Sequence, residues 1–229
     1  KPIKYDDMKK DQYSLPLPEL IGSDIALPVV MRKISLLSQI EKYSQGEVKI
    51  CTNGEELEQS IQERSLSVIM HIEGAECIDE NFYNLEALYR SGLRSIGPVW
   101  SRPTIFGEGV PLSFPSSADI GGGLTNLGIE LIKHCNDLNI IVDTSHLNEK
   151  GFWDVAKNSI HPLIATHSNA HAICSHTRNL TDQQLDAIKD TKGMVGVNFA
   201  PAFLRKDGKM LSDTNIQLIA DHFKYLIDY

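Results

Sequence analysis

The feature that most constrains this chain is a rhythm of short apolar runs separated by stretches with apolar residues at helical spacing. The runs read as strands at Ile25–Val30, Ser67–Ile72, Leu93–Trp100, Asn139–Thr144, Pro162–His167 and Gly193–Phe199, with a weaker one at Val48–Cys51. They are apolar throughout and do not alternate with polar residues, the pattern of parallel strands covered on both faces. Helices are expected at Lys33–Tyr43, Glu55–Glu63 (opened by Thr52 or Asn53), Asn81–Ser91 (stopped by Gly92) and Leu124–Leu138. Further helices are expected at Glu149–Asn158, Thr181–Asp190 (capped by Thr181) and Asp213–Tyr229. The predicted class is α/β, built either as a barrel of eight such units or as an open doubly wound sheet. No glycine-rich phosphate fingerprint follows a strand, and the Gly121–Gly123 cluster follows a loop, which argues against a nucleotide cradle.

The chain has 229 residues, enough for the single domain expected over 1–229. Its net charge is −8, and no basic stripe alternates with aromatics, so a nucleic-acid partner is not expected. No apolar run approaches the roughly 20 residues that span a bilayer, so no membrane span is expected. Cys51, Cys77, Cys135 and Cys174 are scattered without a C-x-x-C pair and read as buried thiols of a reducing compartment. The cytoplasm is therefore the expected location. A periplasmic or secreted protein is the alternative if a signal peptide has been removed, since the chain begins at Lys1. The first twenty residues are polar and aperiodic, and Ser101–Gly123, rich in proline and glycine, reads as a long functional loop.

Ligand-type residues recur where strands end. Glu73 closes the Ser67–Ile72 run, His146 follows the strand of I-I-V-D-T, and His167 ends the strand of L-I-A-T-H. In a parallel α/β fold the C-terminal ends of the strands face one rim, and the site sits there. One carboxylate and two imidazoles on that rim suit a metal ion, and a carboxylate can bridge two ions. A hydrogen-bonded structural histidine is the plainer reading of any one of them, and of His71, which shares a strand face with Glu73. His134, His161 and His222 are given no role. His167 and His171 stand four apart, but a strand end is not a helix, so His167 is favoured alone. A carboxylate pair drawn from Glu73, Glu108 and Asp143 is the competing reading. A serine triad is a poor fit, since no G-x-S-x-G elbow occurs.

The blocks H-I-E-G-A-E-C-I-D (His71–Asp79), I-V-D-T-S-H-L-N-E-K-G-F-W-D-V (Ile141–Val155) and A-T-H-S-N-A-H-A-I-C-S-H-T-R-N-L-T-D-Q-Q-L (Ala165–Leu185) closely resemble the membrane dipeptidase (renal dipeptidase) family of zinc metallopeptidases. M-V-G-V-N-F (Met194–Phe199) matches downstream, and the resemblance runs from about Ile61 to Phe203. It implies an amidohydrolase-like (β/α)8 TIM-type barrel with two zinc ions, and hydrolysis of dipeptides by a metal-activated hydroxide. By motif, Glu73 is the catalytic, bridging ligand, and His146 and His167 are the imidazole ligands. Arg178 of H-T-R-N is implied to hold the substrate carboxylate; a surface arginine capping a helix is the plainer alternative. Relatives of this kind form homodimers, which is the expectation here.

The departures are specific. The family's H-x-D pair on strand one occurs nowhere in this chain. Its acidic residue on strand eight is also missing, because the chain stops at Tyr229 in the preceding helix. Matching Ile25–Val30 to strand two and the remaining runs to strands three to seven leaves strands one and eight unfound. The expected explanation is an incomplete record of a longer protein. Where the family often places a histidine after strand four, this chain has Trp100, so Trp100 and neighbouring Arg102 are expected to contact substrate. The Ser101–Gly123 loop is expected to wall the pocket. The alternatives are a non-catalytic protein on the same barrel, or a hydrolase of another amide such as an N-acyl amino acid.

Overall fold

The computed structural model describes residues 5–229, so residues 1–4 of the aperiodic leader lie outside the described residues. A short 3-10 turn at Tyr5–Lys9 leads to β1 (Tyr13–Leu15), α1 (Ser23–Tyr43), β2 (Val48–Ile50), α2 (Gly54–Gln62), β3 (Leu66–Val68) and β4 (Met70–Glu73). Then come α3 (Tyr83–Arg90), β5 (Leu93–Gly97), β6 (Leu112–Phe114), α4 (Asn126–Leu138), β7 (Ile141–Val142) and α5 (Glu149–Asn158). The chain ends with β8 (Ile164–Ala165), α6 (Asp182–Asp190), β9 (Met194–Val195), α7 (Pro201–Leu204) and α8 (Gln217–Asp228).

Apart from β1 and β6, the strands pair in parallel and in chain order. β2 pairs with β3, β4 with β5, β5 with β7, and β8 with β9. β3 and β4 are one run interrupted at Ile69, with a register shift at Met70/His71. A parallel bridge between Asp143 and Ile164 links β7 to β8. The pairing makes an α/β fold, and it does not close into a barrel among the described residues.

The principal correction concerns Ile25–Val30, which is not strand two but the opening of the 21-residue helix α1. A six-residue apolar run fits a buried strand or part of a helix equally well. Here Ala26, Leu27, Val30, Ile34 and Leu37 line one helical face against the core, while Ile25 and Val29 are exposed. The weak run at Val48–Cys51 supplies the strand instead, as β2. The apolar core beneath the helices holds Leu85, Leu88, Leu93, Ile96, Leu131 and Ile132, all fully buried.

Helix starts follow capping chemistry. The side chains of Asn53, Thr125 and Asn148 accept backbone N–H bonds at the starts of α2, α4 and α5, and Thr181 with Gln184 forms a capping box on α6. Several strands end sooner than expected. β7 has two residues because, past Val142, the Asp143 carboxylate takes over as acceptor, receiving N–H bonds from Ser145 and Thr166 at 2.9 Å each.

The long loop is more ordered than its composition suggests. It contains β6, which pairs antiparallel with β1 from the aperiodic leader. This ribbon packs on a second, smaller apolar cluster of Met8, Tyr13, Leu112, Phe114, Cys174 and Phe203. The four cysteines are buried free thiols. Among the described residues no helix is long and apolar enough to cross a membrane.

Candidate metal centre

Glu73, His146 and His167 come from the ends of β4, β7 and β8 and meet at one point. The Glu73 Oε1 atom lies 3.0 Å from His146 Nε2 and 2.9 Å from His167 Nε2, and the two Nε2 atoms are 3.0 Å apart. His146 reaches this point from a left-handed backbone conformation, φ +70°, which turns the chain sharply after β7. Such strained residues concentrate at functional sites.

Each imidazole is held from behind. His146 Nδ1 lies 2.9 Å from Ser101 Oγ, so the long loop does reach the site. His167 Nδ1 lies 2.7 Å from Thr166 Oγ1, and that hydroxyl donates to Asp143 Oδ2 at 2.5 Å. With Nδ1 engaged, Nε2 of both rings is left to face Glu73.

The carboxylate and His146 are in the charge state a metal requires. The His146 and His167 imidazoles beside it hold the Glu73 carboxyl well below the usual carboxylate range, against the effect of burial. Burial, then the nearby Arg178 charge, pushes His146 down to about 3, so it is neutral near pH 7. The three donor atoms form a nearly equilateral triangle of one oxygen and two imidazole nitrogens. A tetrahedral zinc site with bonds of about 2.0–2.1 Å has donor–donor edges of about 3.3 Å, close to the spacing seen. The donor set therefore fits a metal ion.

Asp143 does not form an acid–base pair with Glu73. It is buried, and burial alone would raise its pKa. Hydrogen bonds from the Thr166 side chain and backbone and from the Ser145 backbone outweigh burial and keep it ionised. Glu108 is turned to the loop, accepting the Gly122 N–H at 2.9 Å. His71 sits with Nδ1 2.9 Å from Ser95 Oγ and Nε2 3.8 Å from Asp143 Oδ2, outside the triangle.

Arg178 is not a surface residue. It is 4% exposed, and its Nη2 donates to the His167 carbonyl at 3.0 Å. Its Nε finds no hydrogen-bond partner among the described residues. Burial lowers its pKa to about 10, leaving it cationic at neutral pH. The neighbouring Thr177 ties this segment to the loop: its hydroxyl donates to the Pro111 carbonyl at 2.5 Å and accepts the Ser113 N–H at 3.2 Å. Trp100 is half-buried, with its ring 5.9 Å from that of His146, and the Arg102 guanidinium lies 5.7 Å from the Trp100 ring. Arg102 also approaches Glu76 at 3.8 Å.

A cavity of about 400 Å³ lies between α1 and β4, and Val30, Ile34, His71 and Glu73 line it. A larger one of about 730 Å³, between α6, β9 and α8, touches none of the candidate residues. Of the triangle, Glu73 alone lines the smaller cavity.

The comparisons with known proteins bear on the family. The chain is 46% identical over 200 residues to an uncharacterised protein from the PQQ-III 3′ region of Acinetobacter calcoaceticus, covering 87% of this chain and 63% of that protein. It is 47% identical over 202 residues to an uncharacterised protein from the pqqA 5′ region of Klebsiella pneumoniae, covering 88% and 74% respectively. It superposes at TM-score 0.96 and 46% identity on a metallopeptidase from Rhodobacter sphaeroides liganded with a phosphinate mimic of the dipeptide L-Ala-D-Ala. That match covers 98% of this chain and 64% of the other, so this chain spans under two thirds of the Acinetobacter and Rhodobacter proteins. A Pseudomonas aeruginosa amidohydrolase at TM-score 0.77 and 20% identity shares the fold. The model of the membrane dipeptidase family matches residues 9–229, and the chain belongs to that family, peptidase family M19.

Proposed function

We propose that the protein hydrolyses the peptide bond of dipeptides in a metal-dependent reaction. Glu73, His146 and His167 would hold the metal, zinc being the ion their N and O donors suit best. The observation that carries the reading is the triangle of Glu73 Oε1, His146 Nε2 and His167 Nε2, every edge within 3.0 Å. A carboxylate has a second oxygen, which supports a bridging role for Glu73 between two ions. The parallel strands in chain order, together with the amidohydrolase likeness, support a (β/α)8 barrel as the complete fold.

When bound, the metal supplies Lewis acidity, lowering the pKa of water and polarising the scissile carbonyl. The chain's own residues do the rest. Glu73, held ionised, keeps negative charge at the centre. Arg178 offers its unpartnered Nε–H, and the planar fork of a guanidinium meets a carboxylate with two hydrogen bonds. A buried arginine hydrogen-bonded to the His167 carbonyl would fix the C-terminal carboxylate of a short peptide close to the reacting bond. Trp100 and Arg102 supply a half-buried wall beside His146. The Rhodobacter protein's dipeptide mimic supports this substrate class.

The test is hydrolysis of a dipeptide panel by native protein, chelator-stripped protein and zinc-reloaded protein, with elemental analysis of native protein and Glu73→Gln. Activity should vanish on stripping and return with zinc, and Glu73→Gln should lose bound metal. Absence of metal-dependent cleavage of every dipeptide would overturn the proposal.

A further inference from the structure

We infer that Asp143 and Thr166 form a hydroxyl relay that fixes the tautomer of His167, making both positioning residues for the metal centre. The inference rests on the reading of His167 as a ligand and goes beyond it to what holds that ligand in the binding state.

The argument is proton accounting. A threonine hydroxyl has one proton to donate and lone pairs to accept with. Thr166 Oγ1 has two close partners, Asp143 Oδ2 at 2.5 Å and His167 Nδ1 at 2.7 Å. Asp143 is a buried acceptor: its Oδ1 already receives the backbone N–H groups of Ser145 and Thr166, each at 2.9 Å. An ionised carboxylate can only accept, so the hydroxyl proton points to Oδ2. The oxygen then has only lone pairs left for His167, so with metal on Nε2 it is Nδ1 that carries the hydrogen. A neutral imidazole with hydrogen on Nδ1 has its lone pair on Nε2, the atom 2.9 Å from Glu73 Oε1. A carboxylate usually grips a metal-binding histidine directly. Here Asp143 Oδ2 is 3.9 Å from His167 Nδ1, too far for a hydrogen bond, and the hydroxyl spans the gap.

The relay also couples two strands. Asp143 follows β7 and Thr166 follows β8, so the group that orients His167 stands next to the turn that carries His146. Oδ1 holds the backbone of both strand ends, and Oδ2 sets the hydroxyl.

The experiment measures zinc affinity by chelator competition in native protein, Thr166→Val, Thr166→Ser and Asp143→Asn, each first stripped of metal. Thr166→Val removes the hydroxyl at nearly constant shape and should weaken zinc binding about 10- to 100-fold. Thr166→Ser keeps the hydroxyl and should restore affinity to near native. Asp143→Asn is the sharper probe. Its Oδ1 still accepts both backbone N–H groups, but an amide NH₂ facing Thr166 donates, turning the hydroxyl proton toward His167. The wrong tautomer is then favoured, so affinity should fall although Thr166 is intact. Affinities of Thr166→Val and Asp143→Asn within twofold of native would overturn the relay. If Thr166→Val does not fold, Asp143→Asn decides alone. If native protein takes up zinc that Glu73→Gln also retains, the ligand assignment itself falls, a result distinct from loss of the relay.

Discussion

Replacing Arg178 with methionine tests whether the buried guanidinium reads a substrate carboxylate. Methionine keeps an unbranched stem at the site, near the Phe203 ring that lies 5.8 Å from the guanidinium carbon. What is lost is the charged fork, including the Nε that lacks a partner in the protein. A hydrogen bond to a charged group contributes about 1.5–3 kcal/mol, so a two-bond fork contributes about 3–6 kcal/mol. At 1.4 kcal/mol per factor of ten, even the lower bound is a loss of about 100-fold in kcat/KM. The assay is a cycle: native and Arg178→Met protein, each on a dipeptide and on its C-terminal amide. Native protein should prefer the free acid by about 100-fold or more, and the variant should show no preference. Zinc content should be unchanged, because Arg178 touches His167 only through its backbone carbonyl. If the variant loses equal activity on acid and amide, the arginine does not read the carboxylate, and its role is packing.

Two further outcomes are expected. His176 is buried and pushed down to about 3, by burial first and then by the charges of Arg178 and His171, whereas in the unfolded chain it titrates near its ordinary 6.5. The unfolded state therefore binds the proton first, and stability from neutral His176 is full above about pH 6.5 and drains as pH falls toward 3. In metal-free His176→Gln, urea midpoints between about pH 6 and 4 should fall less steeply, by up to about 1.4 kcal/mol per pH unit; coincident slopes would refute this. Leu131→Ala, on the core face of α4, should cost about 2–5 kcal/mol and lower Tm by roughly 10 °C, and a loss under about 1 kcal/mol in urea titration would contradict the burial seen.

Much of the site was legible because its residues close strands, and strand ends in a parallel fold face one rim. Glu73, His146 and His167 could be brought together by that rule before any distance was known. Arg178 could not be told from a surface arginine, since its burial depends on Phe203 and on the ribbon of β1 and β6. Pairing Tyr13 with Phe114 across a hundred residues leaves no local signal in three-residue strands. Thr166 was hidden for another reason. A threonine beside a histidine is ordinary, and only the position of Asp143 across the strand pair gives its hydroxyl a direction. The misreading of Ile25–Val30 shows the limit of short windows. Its apolar residues continue at helical spacing through Ile34 and Leu37, and the six-residue run masks that period.

The second apolar cluster gives the segment bearing Arg178 a mechanical footing of its own. The metal triangle stands on the ends of β4, β7 and β8, whereas the segment bearing Arg178 hangs from the β1–β6 ribbon through Thr177, Pro111 and Ser113. On the proposed reading, repacking Tyr13, Phe114 or Phe203 would shift the Arg178 fork, which meets the triangle only through the His167 carbonyl. Reach along the substrate and hold on the metal are separately adjustable in this architecture. Drift in the aperiodic leader, far in sequence from Arg178, would under the proposed function be a route to a changed choice of peptide.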